Sequence, residues 1–368
     1  MSVVVALDSL KGSLPAAAAS AALADGWREV DPAAEIVLRP MADGGEGTLD
    51  AFAAAVRGAQ RRPVRVRGPR GMLVDAAWLL LPDGTGVVEL ASTSGIELLG
   101  EDRLPWDADT TGFGQAIAAA LDAGVERLVL GIGSSASTDG GSGMLRALGA
   151  RMVDADGRDV PAGARGLAAV SAIDFSHLRT PPPGGVTVLS DVTNPLTGPA
   201  GAAAVFGPQK GLTAADVEVV DGVLERYAAC IARRVPTADP LLPGAGAAGG
   251  TGFALAAWGA DLVPGAQRIA DLVDLAGAVA AASLVVTGEG AFDGQSAAGK
   301  VPAFVQGLAA AHGVPVAVVA GRIAADADTT GFAHTISLTD LAGGAAASMA
   351  DPARWLAEAG RRLATRSA

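Results

Sequence analysis

Short β-branched runs, each followed by a glycine- and aspartate-rich loop and then an alanine-rich helical stretch, constrain this chain more than any other feature. "VVVAL" (residues 3–7) leads through "DSLKGS" into "LPAAAASAALADGW", and "EIVLRP" leads through "MADGGEG" into "TLDAFAAAV". Further on, "ERLVLGIG" leads through "SSASTDGGSG" into "MLRALGA". Near the end come "SLVV" with "TGEGAFDGQSAAG", then "VPVAVVAG" and "HTISL". Parallel strands need long crossovers, usually helical, whereas antiparallel strands need only a tight turn. The alternation therefore predicts an α/β fold on a parallel sheet. Ligands of such sheets bind in the crevice beyond the strands' carboxyl ends, where these loops fall.

From about Arg61 to Leu99 the pattern changes. "RPVRVRG", "MLVDAAWLLLP" and "TGVVELAS" read as strands joined by the hairpin turns "PRG" and "PDGTG", with no helix between them. This predicts a second, partly antiparallel domain inserted into the first. The expected division is a discontinuous parallel-sheet domain, residues 1–60 plus 270–368, and an inserted mixed α/β domain, residues 61–269. With 368 residues, half of them apolar and 18% charged, the chain can bury two ordinary cores.

The N-terminal apolar run is only five residues long and lacks a basic leader, so it reads as a strand and not a signal peptide. No apolar segment approaches the ~20 residues that span a bilayer. The single cysteine, Cys230, excludes internal disulfides and sits in the amphipathic pattern "ERYAACIARR", where a buried structural thiol is the plain reading. A cytoplasmic protein without a membrane partner is expected, and the composition leaves room for a homo-oligomer. The net charge of −12 argues against nucleic acid as a partner.

An acidic protein that handles anions must concentrate its cations. Of the 27 basic residues, 24 are arginine and three are lysine, and Lys11, Lys210 and Lys300 each adjoin a glycine. Lysine supplies a compact, mobile point charge that a guanidinium does not imitate at phosphate. The sole asparagine, Asn194, falls in "SDVTNPLTGP" together with Asp191; the plain alternative for this segment is an Asn-Pro turn.

Residues Gly294–Lys300 spell G-x-x-x-x-G-K, the start of a Walker A loop, but Val301 stands where Ser or Thr should hold magnesium, and the strand ends well before Gly294. The match reads as coincidence. What remains is Glu289 and Asp293 alternating with glycines, followed by Gln295 and Lys300. "PMADGGEGT" repeats that chemistry with Asp43, Gly44, Gly45 and Glu46, where acids capping a helix are the plain alternative. Acids such as Asp43, Glu46, Glu289 and Asp293 can hold a divalent cation, and glycine N–H groups can meet an anion.

"GIGSSASTDGGSG" supplies Ser135, Asp139, Gly140 and Gly141; its first six residues also loosely match a dinucleotide fingerprint, with Asp154 downstream. That loop runs too far before its helix for a nicotinamide site. "DSLKGS" places Asp8 at a strand's carboxyl end beside Lys11 and Ser13. His177, His312 and His334 form no metal or catalytic pattern, and no G-x-S-x-G elbow exists. Five glycine-rich loops carrying Asp, Glu, Lys, Ser and Asn suit phosphoryl transfer, where positioning and electrostatics do most of the catalysis.

At these residues the chain resembles the bacterial type I glycerate kinases. "DSLKGSL", "PMADGGEGT", "GIGSSASTDGGSGMLRALGA", "SDVTNPLTGPAGAAAVFGPQKG" and "GEGAFDGQSAAGKVP" are similar to that family's signature segments, in order, from Asp8 to about Gly321. The resemblance implies a Rossmann-like or flavodoxin-like domain with an inserted α/β domain and the site between them. It also implies ATP- and Mg2+-dependent phosphorylation of D-glycerate, usually to the 2-phosphate. Alternatives are a 3-phosphate product or a related hydroxy-acid kinase, and a small-anion or nucleotide sensor without turnover.

On that reading Lys11, Lys210 and Lys300 hold carboxylate and phosphates, and Asp191 is the base or aligner. Asp8, Ser13, Gly44, Gly45, Ser135, Asp139, Gly140, Gly141, Asn194 and Gln295 line the nucleotide, and Asp43, Glu46, Glu289 and Asp293 are the magnesium candidates. The chain departs from the family pattern at Ala291, where arginine is usual after "GEG", at Ser296 for threonine, and at Thr138 for an amide. "DSLKGS" also stands for "DSFKGS".

Overall fold

The computed structural model describes residues 1–10, 12–294 and 301–367. Lys11, Gln295, Ser296 and Lys300 lie outside the described residues. The chain divides into two compact units, Met1–Asp43, Asp50–Arg57 and Gly265–Ala368 in the first, and Gly44–Leu49 and Gly58–Pro264 in the second. Against the expected division, the short "GGEGTL" segment goes with the second unit.

The first unit is built on a five-stranded sheet in the order His334–Ser337, Val316–Ala320, Leu284–Gly288, Ser2–Leu7, Glu35–Leu38, with every pairing parallel. Counted in chain order within this unit, that is the flavodoxin-like arrangement, with the reversal of winding between the first and third strands. "VVVAL", "LVVTG" and "VAVVA" are buried throughout, as strands covered on both faces must be. Val3, Val5, Leu7, Val286 and Val319 pack with Leu23 and Trp27 of helix Ala16–Val30 and with Leu356 and Leu363 of helix Pro352–Ser367.

The second unit carries a six-stranded mixed sheet. Asp261–Val263, Val186–Leu189, Arg127–Gly131 and Thr85–Glu89 run parallel, and Leu73–Leu80 and Gln60–Arg67 extend the sheet antiparallel, as the hairpin turns predict. Its core gathers Val88, Leu130 and Val188 of the sheet with Phe113, Leu224, Tyr227 and Phe253 of the covering helices. Helix Ala214–Ala232 starts at a capping box, in which Thr213 and Asp216 satisfy each other's backbone N–H groups. No helix among the described residues is long and apolar enough to cross a membrane.

The two long helices of the first unit touch backbone to backbone. A Cβ on Gly26 would sit 1.9 Å from the Ala357 carbonyl oxygen, and one on Gly360 2.1 Å from that of Leu23. Gly307, in helix Val301–Ala311, meets nothing within 4 Å. Both Gly26 and Gly307 are helical positions where alanine is intrinsically favoured by about 1 kcal/mol. Gly307→Ala should therefore raise stability by roughly 0.5–1 kcal/mol, while Gly26→Ala should lower it by about 1–3 kcal/mol through overpacking. Chemical denaturation midpoints check the pair, and equal effects would remove the helix contact as the cause.

Candidate active site

In the first unit, four strands end around one cavity of about 360 Å3, a volume within the range of small-molecule sites. Ser13, Glu289, Asp293, Arg322, Thr339 and Ser348 supply its polar lining. Glu289 follows Leu284–Gly288, and the Asp8 N–H donates to the Gly288 carbonyl at 2.9 Å, so Asp8 and Glu289 stand side by side where the winding reverses. Both side chains are buried, and Ser9 N–H donates to Asp8 Oδ1 at 2.7 Å. Ser13 Oγ donates to the Leu10 carbonyl at 3.0 Å, closing the turn after the first strand.

The far wall is a two-residue parallel ribbon in which Ala291 pairs with Arg322. Phe292, Val318 and Ala320 form a small apolar cluster under this ribbon, and Phe292 meets Phe332 edge to face at 5.6 Å. Arg322, exposed on the cavity wall, was not singled out from the sequence. The signal that marks it is Ala291, the position where the resembled family carries arginine. The ribbon pairs Arg322 with that alanine in register.

The four expected metal acids do not form a cage. Among the described residues no three Asp, Glu, His or Cys side chains are grouped to hold a metal ion. Glu289 and Asp293 share the cavity, Asp43 ends the first unit's first segment, and Glu46 belongs to the second unit, where its Oε2 is buried without a hydrogen-bond partner. Magnesium nevertheless fits Glu289 and Asp293, because it commonly takes one or two carboxylates, several waters and the substrate's phosphates.

In the second unit the carboxyl-end loops are packed against each other, and several expected ligand groups are engaged internally. Gly133 N–H donates to the Gly44 carbonyl at 2.9 Å, and a Cβ on Gly44 would lie 2.3 Å from the Leu189 carbonyl. Gly44 and Gly45 thus let "GGEGT" lie against two strand ends. Asp139 is fully buried, and its oxygens accept from Thr110 N–H and Oγ1, Ser137 Oγ, and the N–H groups of Gly141 and Gly143, at 2.8–3.2 Å. Gly140 N–H donates to the Gly249 carbonyl at 2.9 Å. Gly140 and Gly141, expected to line phosphates, thus have their donors occupied, and Asp139 organises its own loop.

Lys210 is likewise not a free cation. It is buried, and its Nζ donates to Ser135 Oγ at 2.7 Å and to the Ser137 carbonyl at 2.6 Å, fastening the loop from beneath. Burial pushes its amine down to about 7, partly opposed by the negative charge of Asp139. Asn194 uses its amide to close its own turn, donating to the Ala200 carbonyl at 2.8 Å. Asp191, half-buried after strand Val186–Leu189, is not among the residues lining the first unit's cavity. Thr138 Oγ1 is buried with no partner, the local consequence of a short hydroxyl where the family carries an amide. Sequence reasoning also missed Asp109, which is fully buried. Desolvation first, with Asp139 adding to it, raises its carboxyl above the usual range, against a hydrogen bond from Thr111 and the charge of Arg67.

A doubly wound α/β sheet places its ligand crevice at the strands' carboxyl ends, and here Glu289, Asp293 and Arg322 line the cavity there, as in the class of α/β enzymes. The model of the "Glycerate kinase family" matches residues 3–368. A glycerate 2-kinase of Escherichia coli (strain K12) is 42% identical over 338 residues, covering 91% of this chain and 88% of the relative. A glycerate kinase of Bacillus subtilis (strain 168) is 41% identical over 343 residues, with the same shares covered. A solved structure described as a glycerate kinase 2 from Salmonella typhimurium LT2 superposes with a TM-score of 0.79 at 39% identity, covering 100% of this chain and 98% of that one. The chain belongs to the glycerate kinase family and is a phosphotransferase.

The Lys210 amine gives a signed expectation. Its ordinary value is 10.5 and its folded value about 7. Below 7 it is charged folded and unfolded, whereas between the two values only the unfolded chain keeps the proton, so stability rises with pH across that window. Thermal unfolding of wild type and Lys210→Met from pH 6 to 10 should show the wild type gaining on the variant above about 7. Parallel curves would place a charged lysine there.

Proposed function

We propose that the chain transfers the γ-phosphoryl group of ATP to the 2-hydroxyl of D-glycerate, giving 2-phosphoglycerate and ADP. The observation that carries this reading is the first unit's cavity at the switch point, lined by Glu289, Asp293 and Arg322, with Asp8 beside Glu289 at the end of the neighbouring strand, in a chain of the glycerate kinase family. The 2-position follows the E. coli relative, whose name is glycerate 2-kinase.

In the transfer, the acceptor oxygen bonds to the γ-phosphorus as the bridging bond to ADP breaks, and the hydroxyl proton passes to a carboxylate. Asp8 is the base on this reading, buried and held by Ser9 N–H at the end of the first strand. Glu289 and Asp293 would hold Mg2+, which supplies charge neutralisation at the transferring phosphoryl group. Arg322 answers the substrate's own negative charge, carboxylate or phosphate, with a planar pair of donors. Lys210 and Asp139 keep the second unit's glycine-rich loop in one shape and act by positioning.

Coupled measurement of ADP release from MgATP with D-glycerate, with phosphorus NMR of the product, tests the reaction. A 2-phosphate supports it; a 3-phosphate overturns the acceptor position, and ATP-independent behaviour overturns the reaction. Hydrogen bonds to charged groups contribute about 1.5–3 kcal/mol, so Arg322→Ala should lower kcat/KM roughly 10- to 100-fold. Because Ala291 pairs with Arg322 across the ribbon, adding Ala291→Arg to that variant should restore most of the loss. No rescue in a folded double variant would place the guanidinium's role elsewhere.

A further inference from the structure

A second cavity in the first unit, about 450 Å3, lies at the free edge of the sheet, where Glu35–Leu38 has a neighbour on one side only. Its apolar walls include Ala17 at the start of helix Ala16–Val30, Pro40, Ala54 on helix Thr48–Ala55, and Leu272. Ala17 and Ala54 are exposed small residues facing open space. Two charged groups line it, Arg39 and Asp274. The Arg39 Nη1 donates to the Leu38 carbonyl at 3.1 Å, while its buried Nε–H has no acceptor, an arrangement that leaves the guanidinium under-bonded. Asp274 holds the left-handed φ of +48°, a strained state for a side-chain-bearing residue.

We propose that this cavity receives the base of the nucleotide donor. The inference rests on the reading that ATP is that donor. One positive and one negative group in an otherwise apolar slot suit a neutral, flat heterocycle that offers both an acceptor and a donor. A bare phosphate would meet the Asp274 carboxylate, and an aliphatic chain would leave both charges unanswered. An adenine ring nitrogen accepts from the Arg39 guanidinium, and its exocyclic amine donates to Asp274. Position agrees with this. In doubly wound sheets ligands bind beyond the carboxyl ends of the strands, and Glu35–Leu38 neighbours a strand of the switch point. Here Arg39 and Pro40 follow Glu35–Leu38 directly, three residues before Asp43.

The experiment uses the full chain with Ala54→Phe, which fills the slot from an exposed helix position, and Asp274→Gly, which removes the acceptor while relieving the left-handed φ. For Ala54→Phe the KM for MgATP should rise at least tenfold, with kcat and the KM for D-glycerate within threefold of wild type. For Asp274→Gly the preference for MgATP over MgITP, which carries a carbonyl in place of the amine, should fall about tenfold. Adenosine should bind the wild type in a calorimetric titration and not bind Ala54→Phe. If wild type turns over MgATP and both folded variants keep its KM and its base preference, the inference falls and the reaction stands. If wild type shows no MgATP turnover, both fall together.

Discussion

Where Ser2–Leu7 pairs with Leu284–Gly288, the winding of the first unit's sheet reverses, and the chain leaves the carboxyl ends of these two neighbouring strands in opposite directions. A crevice there is an obligation of topology, because no crossover covers it. The residues that follow the two strands, Asp8 and Glu289, are therefore placed by the pairing register itself, one residue beyond the last matched pair, Leu7 with Gly288. Rigidity comes from strands buried on both faces, so the positions of these carboxylates are inherited from the core and not from loop sequence. The ribbon of Ala291–Phe292 with Arg322–Ile323 extends that inheritance outward, since its register is fixed by the apolar cluster beneath it.

The second unit buries its ionisable groups and satisfies them internally, with Asp139 receiving hydroxyl and backbone donors and Lys210 feeding the same loop from below. Removing one member of such a network leaves the rest unsatisfied in low dielectric, which is why it holds one conformation. The first unit also buries Asp8 and Glu289, and sets Asp293 and Arg322 on the wall of a cavity. Electrostatic preorganisation for a phosphoryl group needs groups held in place before the ligand arrives.

Much of the fold was legible because its cause is local. Apolar runs of five to six residues followed by helices specify a parallel sheet, and "PRG" and "PDGTG" specify the hairpins of the second unit. Ser13, Glu289 and Asp293 were legible as candidates for the same reason, since they follow strands or the turns after them, and they line the first unit's cavity. The internal hydrogen bonds of Gly140, Gly141, Asp139 and Lys210 were not legible, because glycines and charges look alike in sequence whether they face a ligand or each other. Only the pairing of Gly140 with Gly249, more than a hundred residues away, separates the two cases. Arg322 was invisible because its partner position, Ala291, lies on another strand, and a lost arginine in one segment carries no hint of a gained one in the next.

Glycine in this chain is thus a packing residue first. Ala248, Gly249 and Gly250 all take left-handed φ inside the run that opens helix Ala247–Ala257, and a Cβ on Gly249 would lie 2.1 Å from the Ser137 carbonyl. A non-glycine residue held in that conformation is tolerated only when its surroundings over-determine it. The surroundings here are the same loop that Asp139 and Lys210 hold. Backbone contact without side chains makes the distance between two loops a fixed quantity, insensitive to rotamers. A phosphotransferase gains from that, because a displacement of about 1 Å between reacting groups is enough to cost about a hundredfold in rate. The dense glycine that first reads as phosphate-binding loops therefore also has a packing purpose in the second unit, where it sets how closely the loops approach.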